Sequence, residues 1–218
     1  MKKGKIAKEV SVIGGADGPT SIFLVKKTNQ VTLLNRIRRN LYEKKKHKIE
    51  KRICANPHTL QEVISYIKEK YGAKEISKKS YNYQEQYNCV KENLLIQYKP
   101  ELLGTFLEVK KPKAYNEESL KRFWDKMEQR RKKAESISEQ EFPMDFRTYK
   151  IKISKLGELR ISIETIWGAI DCSYSGDQKE MKRLGQIAKE IYYYYGVTEE
   201  DIKNNSERYT SLVAILST

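Results

Sequence analysis

Residues Tyr149-Lys-Ile-Lys-Ile-Ser-Lys-Leu-Gly-Glu-Leu-Arg-Ile-Ser-Ile-Glu164 decide the fold. Apolar and polar residues alternate on both sides of Leu156-Gly157. Successive strand side chains point to opposite faces, so this stretch predicts a β-hairpin with one buried and one wet face. Ile166 to Tyr174 continues as a third strand. Ser175-Gly-Asp177 then leads into a helix with Met181, Leu184, Ala188, Ile191 and Tyr195 at three- and four-residue spacing, closed by Gly196. Thr198 to Asp201 opens a last helical stretch, which runs into the apolar Leu212-Val-Ala-Ile-Leu216. Upstream, Thr59-Leu-Gln-Glu62 is a capping box before a helix whose one face carries Leu60, Val63, Ile64, Ile67 and Tyr71, ending at Gly72. Hairpins and helices in separate blocks predict the α+β class, an antiparallel sheet with packed amphipathic helices.

Between those blocks, Leu94–Tyr98 and Thr105–Lys110 read as two further strands joined around Pro100 and Gly104. Asn116 caps a long helix with Leu120, Phe123, Trp124, Met127, Arg131 and Ala134 along one face; Glu117 and Glu118 suit its positive end. At the N-terminus, Val10, Val12 and Ile13 precede Ala-Asp-Gly-Pro, and Ile22 to Val25 follow it. Asp-Gly between apolar, β-branched runs signals a hairpin turn, and Pro19 stops a helix from crossing it. Asn29 to Ile53 reads as a helix with Val31, Leu34, Ile37 and Leu41 on one side. Its apolar stripe then fails until Ile49 and Ile53, so this part projects, connects or contacts something outside the core. Asn56-Pro57 breaks the chain. The expected organisation is residues 1–55 as an N-terminal hairpin with a basic helical arm, and residues 56–218 as a compact α+β domain.

The chain has 218 residues and a formal charge of +14. Residues 36–52 hold nine cations (Arg36, Arg38, Arg39, Lys44, Lys45, Lys46, Lys48, Lys51 and Arg52) against Glu43 and Glu50, a net of +7. Residues 110–133 hold ten against four carboxylates, a net of +6, and end in Arg130, Arg131, Lys132 and Lys133. Charge concentrated in this way is the footprint of a polyanionic partner, although cations at the end of a helix also answer its dipole. Cys54, Cys89 and Cys172 are too scattered for a disulfide framework or a zinc knuckle, which points to a reducing, cytoplasmic setting. A membrane-spanning helix needs ~20 largely apolar residues. The 16 residues from Val10 to Val25 include Gly14, Gly15, Gly18, Pro19 and Asp17, and the mean hydropathy of the chain is -0.75. No membrane partner is expected.

Two short stretches resemble known families. Ser11-Val-Ile-Gly-Gly-Ala-Asp-Gly-Pro-Thr-Ser-Ile-Phe23 resembles the Gly-Gly-Ala-Asp-Gly-Pro-Thr signature of the β subunit of sodium-ion-translocating decarboxylases (the oxaloacetate and glutaconyl-CoA group). The resemblance implies an ion-carrying role for Asp17, with Gly14, Gly15 and Gly18 opening the backbone around it. It covers roughly the first 26 residues, and the rest of the chain does not follow that family. Phe106-Leu-Glu-Val-Lys-Lys-Pro112 resembles the Glu-x-Lys strand of PD-(D/E)XK nucleases. That resemblance implies a Mg²⁺-binding Glu108, a water-orienting Lys110 on the same strand face, and Glu62 as the first acid of the set. The superfamily's central aspartate has no counterpart here, since the region offers Glu92, Asn93 or Glu101, none in a Pro-Asp setting.

Other chemistry finds little footing. His47 lies in a basic run and His58 beside a proline, and neither neighbours a nucleophile signature. Tyr192 to Tyr195 form a run of four; helical geometry sends Tyr192 and Tyr195 to the core and Tyr193 and Tyr194 outward. The sequence therefore predicts a basic binding protein without catalysis, metal or cofactor. Its expected partner is nucleic acid or an acidic protein, contacted through the cations named above. A PD-(D/E)XK-like nuclease and an inhibitor, immunity-type or regulatory protein are the alternatives.

Overall fold

A computed structural model describes residues 8–15, 18–26, 33–112 and 116–217. In chain order the elements begin with strands β1 (Lys8–Gly15) and β2 (Gly18–Lys26), helices α1 (Leu33–Glu50) and α2 (Leu60–Tyr71), and the short strand β3 (Lys74–Glu75). Helix α3 (Tyr81–Tyr98), a 3₁₀ stretch (Pro100–Phe106) and helix α4 (Glu117–Ser136) follow. Strands β4 (Phe146–Lys152), β5 (Glu158–Glu164) and β6 (Ala169–Ser175) then lead to helices α5 (Gln178–Tyr195), α6 (Glu199–Asn204) and α7 (Glu207–Ser217). The class is α+β. Among the described residues no helix is long and apolar enough to cross a membrane.

The chain divides into two compact units: Met1–Asn29 with Ser77–Asp145, and Gln30–Ile76 with Phe146–Thr218. The division expected at Cys54–Pro57 falls inside the second of these.

That second unit is built on an antiparallel sheet in the order β3-β4-β5-β6. The quoted hairpin is its centre, with Tyr149 opposite Ile161 and Ile151 opposite Leu159. Ser154 closes the turn by accepting from the backbone N–H groups of Leu156 (3.0 Å) and Gly157 (2.8 Å). Tyr149, Ile151, Leu159, Ile161 and Ile163 meet Val63, Ile64 and Ile67 of α2 and Leu184, Ala188 and Ile191 of α5 in one apolar core. Both helices start on capping boxes: Thr59 with Glu62, as expected from the sequence, and Asp177 with Glu180. The other face is drier than strict alternation predicts, because Phe146, Thr148, Ser162 and Glu164 are buried too. Glu164 is held there by accepting from the backbone N–H groups of Ile166 (3.2 Å) and Trp167 (2.5 Å).

The helical end of the unit is tied by one arginine. Asn56 N–H donates to the Val197 carbonyl and His58 N–H to the Tyr195 carbonyl, both at 3.0 Å. Arg208 donates to the carbonyls of Gly196 (2.8 Å), His58 (3.0 Å) and Tyr195 (2.5 Å), with its guanidinium carbon 3.7 Å from the Tyr195 ring centre. A single planar fork thus joins chain points 58, 195 and 208. Helix α1 packs against α7, and Ile53 joins the small core of Val197, Tyr209, Leu212 and Val213.

In the other unit β1 pairs with β2 as an antiparallel hairpin, with a register shift between Val12 and Gly14. The two strands expected around Pro100 are not formed. Leu94–Tyr98 is the last turn and a half of α3, and Thr105–Phe106 belongs to the 3₁₀ stretch, with Leu107–Pro112 irregular. The physical reason lies upstream of the apolar triplet. Tyr83, Tyr87, Lys91 and Leu94 follow helical spacing, Ser80 caps the helix by accepting from Tyr83 N–H, and Pro100 ends it. Helix α3 supports α4 through polar groups. The Lys91 ammonium donates to the Ile137 carbonyl (2.5 Å) at the α4 C-terminus, and Asn88 donates to Glu135 (2.9 Å). Burial pushes the Lys91 ammonium below its ordinary pKa, opposed by Glu139, Glu135 and Glu141.

Candidate nucleic-acid interface

Helix α1 carries Arg36, Arg38, Arg39, Lys44, Lys45, Lys46 and Lys48, and the turn after it carries Lys51 and Arg52. At 1.5 Å per residue the row from Arg36 to Arg52 is about 24 Å long. Arg36, Arg39, Lys44, Lys45, Lys48, Lys51 and Arg52 are exposed, and none of these has a carboxylate within ion-pair distance among the described residues. Lys46 is partly satisfied by Glu50 at 3.8 Å, which also meets His47 at 3.5 Å. The helix was expected to lose its apolar stripe after Leu41. In fact Leu41 is already 61% exposed, alongside exposed Ile37 and Tyr42.

The second basic run is differently disposed. Arg130 is only 14% exposed, and its Nε donates to Glu92 Oε1 at 2.6 Å. Arg131 approaches the other Glu92 oxygen at 3.8 Å. Lys132 pairs with Glu128 one turn back at 2.8 Å, which raises the lysine pKa and lowers the glutamate's. Lys133 is half-buried. Most of this charge is answered on its own unit, so the α4 cations offer less to a phosphate than their number suggests.

Of the metal set implied by the nuclease resemblance, Glu108 and Lys110 lie in irregular chain, 78% and 87% exposed, with a 3.8 Å ion pair between them. They do not share a strand face, because no strand forms there. Glu62 is committed to the α2 capping box, where Thr59 lowers its pKa through the backbone N–H and the hydroxyl. Among the described residues no three His, Cys, Asp or Glu side chains are grouped to hold a metal ion. Gly14 and Gly15 end β1 and Gly18 begins β2, while Asp17 lies outside the described residues.

An open cleft of about 490 Å³ lies along α5, a feature the sequence did not announce. Its polar floor is a network in which Glu190 accepts from the Tyr71 hydroxyl (2.6 Å) and the Lys70 ammonium (3.0 Å), while Lys70 also donates to the Tyr66 hydroxyl (2.8 Å). Those donors hold the Glu190 carboxyl below its ordinary range, Tyr71 first. Lys70 is held well above its own by Tyr66 and Glu190, and Tyr71 is raised by burial and then by Glu190. One wall is an aromatic stack: Tyr194 is sandwiched between His58 and Tyr66, each ring centre 4.0 Å away. Tyr194 was expected to face outward but is half-buried in this stack; Tyr193 does face outward, 58% exposed. Lys189 also lines the cleft, and its ammonium is lowered by burial and then by the positive charge of Lys45 on α1. The basic helix and the cleft therefore share one electrostatic neighbourhood. Compared with known protein families, curated proteins and solved structures, the chain matches none.

Proposed function

We propose that the chain is a non-catalytic binding protein whose partner is nucleic acid, engaged through its phosphates by the cations of α1. The observation that carries this reading is that Arg36, Arg39, Lys44, Lys45, Lys48, Lys51 and Arg52 are exposed and have no carboxylate within ion-pair distance among the described residues. Unpaired cations have no ion pair to break before they turn toward a polyanion, and each phosphate they neutralise releases condensed counterions. Titrating labelled DNA or RNA with the protein at rising salt tests it. The log–log slope should be near ~0.9Z in magnitude for duplex DNA or about 0.7Z for single strands, with Z the phosphates neutralised. Lys44, Lys45 and Lys46 changed together to Ala should remove up to ~2–3 units of that slope. An absence of binding at low salt refutes the reading.

A second reading, docking on an acidic protein, draws support from the exposed Ile37, Leu41 and Tyr42 among the same cations. Apolar side chains ringed by charge suit a protein surface better than a phosphate backbone. Under that reading the triple lysine variant loses the protein partner while nucleic acid never binds at ~0.15 M salt, where the Debye length is about 8 Å.

A further inference from the structure

We propose that the α5 cleft receives an unpaired base, so that the nucleic acid this protein takes is single-stranded. The inference rests on the nucleic-acid reading above and adds the form of the ligand.

The argument runs from the tyrosines of the cleft. Tyr194 has both faces covered, by His58 and Tyr66. Tyr66 has one face against Tyr194, and the Lys70 ammonium lies 5.0 Å from its ring centre. Tyr194 is thus taken on both faces and Tyr66 on one face and at its hydroxyl. Tyr193, next along α5, lines the same cleft and leaves more than half of its surface to solvent. A solvated tyrosine beside a rigid, already stacked wall is a platform for a planar ligand, and every base has a π-face to offer it.

Charge places the rest of the nucleotide. Glu190 would repel a phosphate, but Lys70 and Tyr71 already hold its carboxylate. Lys189 is left as the cation of the cleft without a carboxylate within ion-pair distance among the described residues, and it lies near enough to Lys45 for the two to repel. A phosphate between them removes that repulsion, and it continues the backbone track along α1. Asn56 supplies a donor and an acceptor at the cleft for a base edge, while Gln186 already hydrogen-bonds Glu190. A base inside a duplex cannot reach such a platform without leaving its stack. An unpaired strand reaches it freely.

The test uses the full chain and fluorescence anisotropy with four labelled 12-mers: oligo(dT), oligo(U), a mixed-sequence duplex, and a single strand of abasic sites carrying phosphates alone. The first two arms separate deoxyribose from ribose strands. Oligo(dT), oligo(U) or both should bind at least tenfold tighter than the duplex and the abasic strand. Tyr193→Ala should weaken the base-bearing strand by about five- to a hundredfold, the range of one lost stacking contact. It should leave the abasic strand unchanged, and Tyr193→Phe, which keeps the ring, should bind like wild type. Equal affinity for single strand, duplex and abasic strand, with no effect of Tyr193→Ala, overturns the cleft inference and leaves the phosphate reading standing. Absence of binding to all four at low salt overturns both.

Discussion

Replacing Arg130 with alanine separates a structural cation from a ligand-binding one. The Glu92 side chain is 8% exposed and depends on Arg130, whose Nε–Oε1 distance is 2.6 Å. Removing one partner of a buried pair strands the other charge and costs ~3–5 kcal/mol. Arg131 remains at 3.8 Å from the second oxygen but is itself half exposed, so it recovers a little of the loss. We therefore expect about 3 kcal/mol, the lower end of that range. Urea denaturation reads this directly. The chain has two tryptophans; in a Trp167→Phe background, Trp124 on α4 reports on its own unit. With a slope of ~1–3 kcal/mol per molar urea, the midpoint should fall by about 1–3 M. Lys132→Ala, which breaks an exposed pair on the same helix, should leave the urea midpoint almost where it is in the wild type. The double change Glu92→Leu with Arg130→Met should restore most of the loss, since an apolar pair of similar volume replaces a buried ion pair at little cost. If Arg130→Ala behaves like Lys132→Ala, Glu92 is not a buried, ionised partner, and Arg130 returns to the pool of cations free for a ligand.

Gly196 has φ 58° and ψ −162°, a region essentially reserved for glycine, and an added Cβ would collide with the Asn56 carbonyl. Gly196→Ala should cost about 3 kcal/mol or more, lowering the melting temperature by roughly 6–12 °C for a chain of this size. Gly72→Ala, left-handed but with open space around it, should cost only ~1–2 kcal/mol; equal effects would show that strain without collision accounts for both. Arg208→Lys keeps the charge but cannot serve three carbonyls in one plane, so melting should report a loss of about 2 kcal/mol. For Glu190 the folded pKa lies below the ordinary value near 4.5, so its stabilisation is complete above that pH and is lost as pH falls through the folded value. The melting-temperature gap between wild type and Glu190→Gln should narrow from pH 6 to pH 3, and a widening gap contradicts the Tyr71 and Lys70 assignment.

The sheet, the α2 capping box and the Gly72 and Gly196 helix ends were legible because each is written within a few residues: alternation from Tyr149 to Glu164, Thr59 with Glu62, and a glycine directly after each apolar stripe. Leu94-Leu-Ile96 was misread as a strand because a short apolar run fits either period, and its helical partners lie three turns upstream at Tyr83 and Tyr87. What stayed hidden is long-range pairing. Arg130 looks like one cation among four until Glu92, 38 residues away, is found beneath it. The cleft is assembled from Asn56, residues of α2 and α5, and Leu216 of α7, so no local pattern announces it. The tyrosine run was the one signal pointing there, and helical geometry placed Tyr193 correctly while missing the stack that turns Tyr194 inward.

The Arg208 fork has a consequence for the order in which the chain can be made. The unit it ties together is written in two pieces, Gln30–Ile76 and Phe146–Thr218, with some 70 residues between them. At about 5–20 residues per second on the ribosome, α2 waits roughly 4–14 s after its synthesis before the first strand residue it packs against exists. The His58 carbonyl waits longer still, for a residue 150 positions downstream. During that interval the apolar face of Leu60, Val63, Ile64 and Ile67 has no sheet to cover it, whereas the intervening helices α3 and α4 are contiguous and can pair as soon as they emerge. Released fragments ending before residue 146 should therefore carry a protease-resistant α3–α4 pair and a protease-sensitive α2.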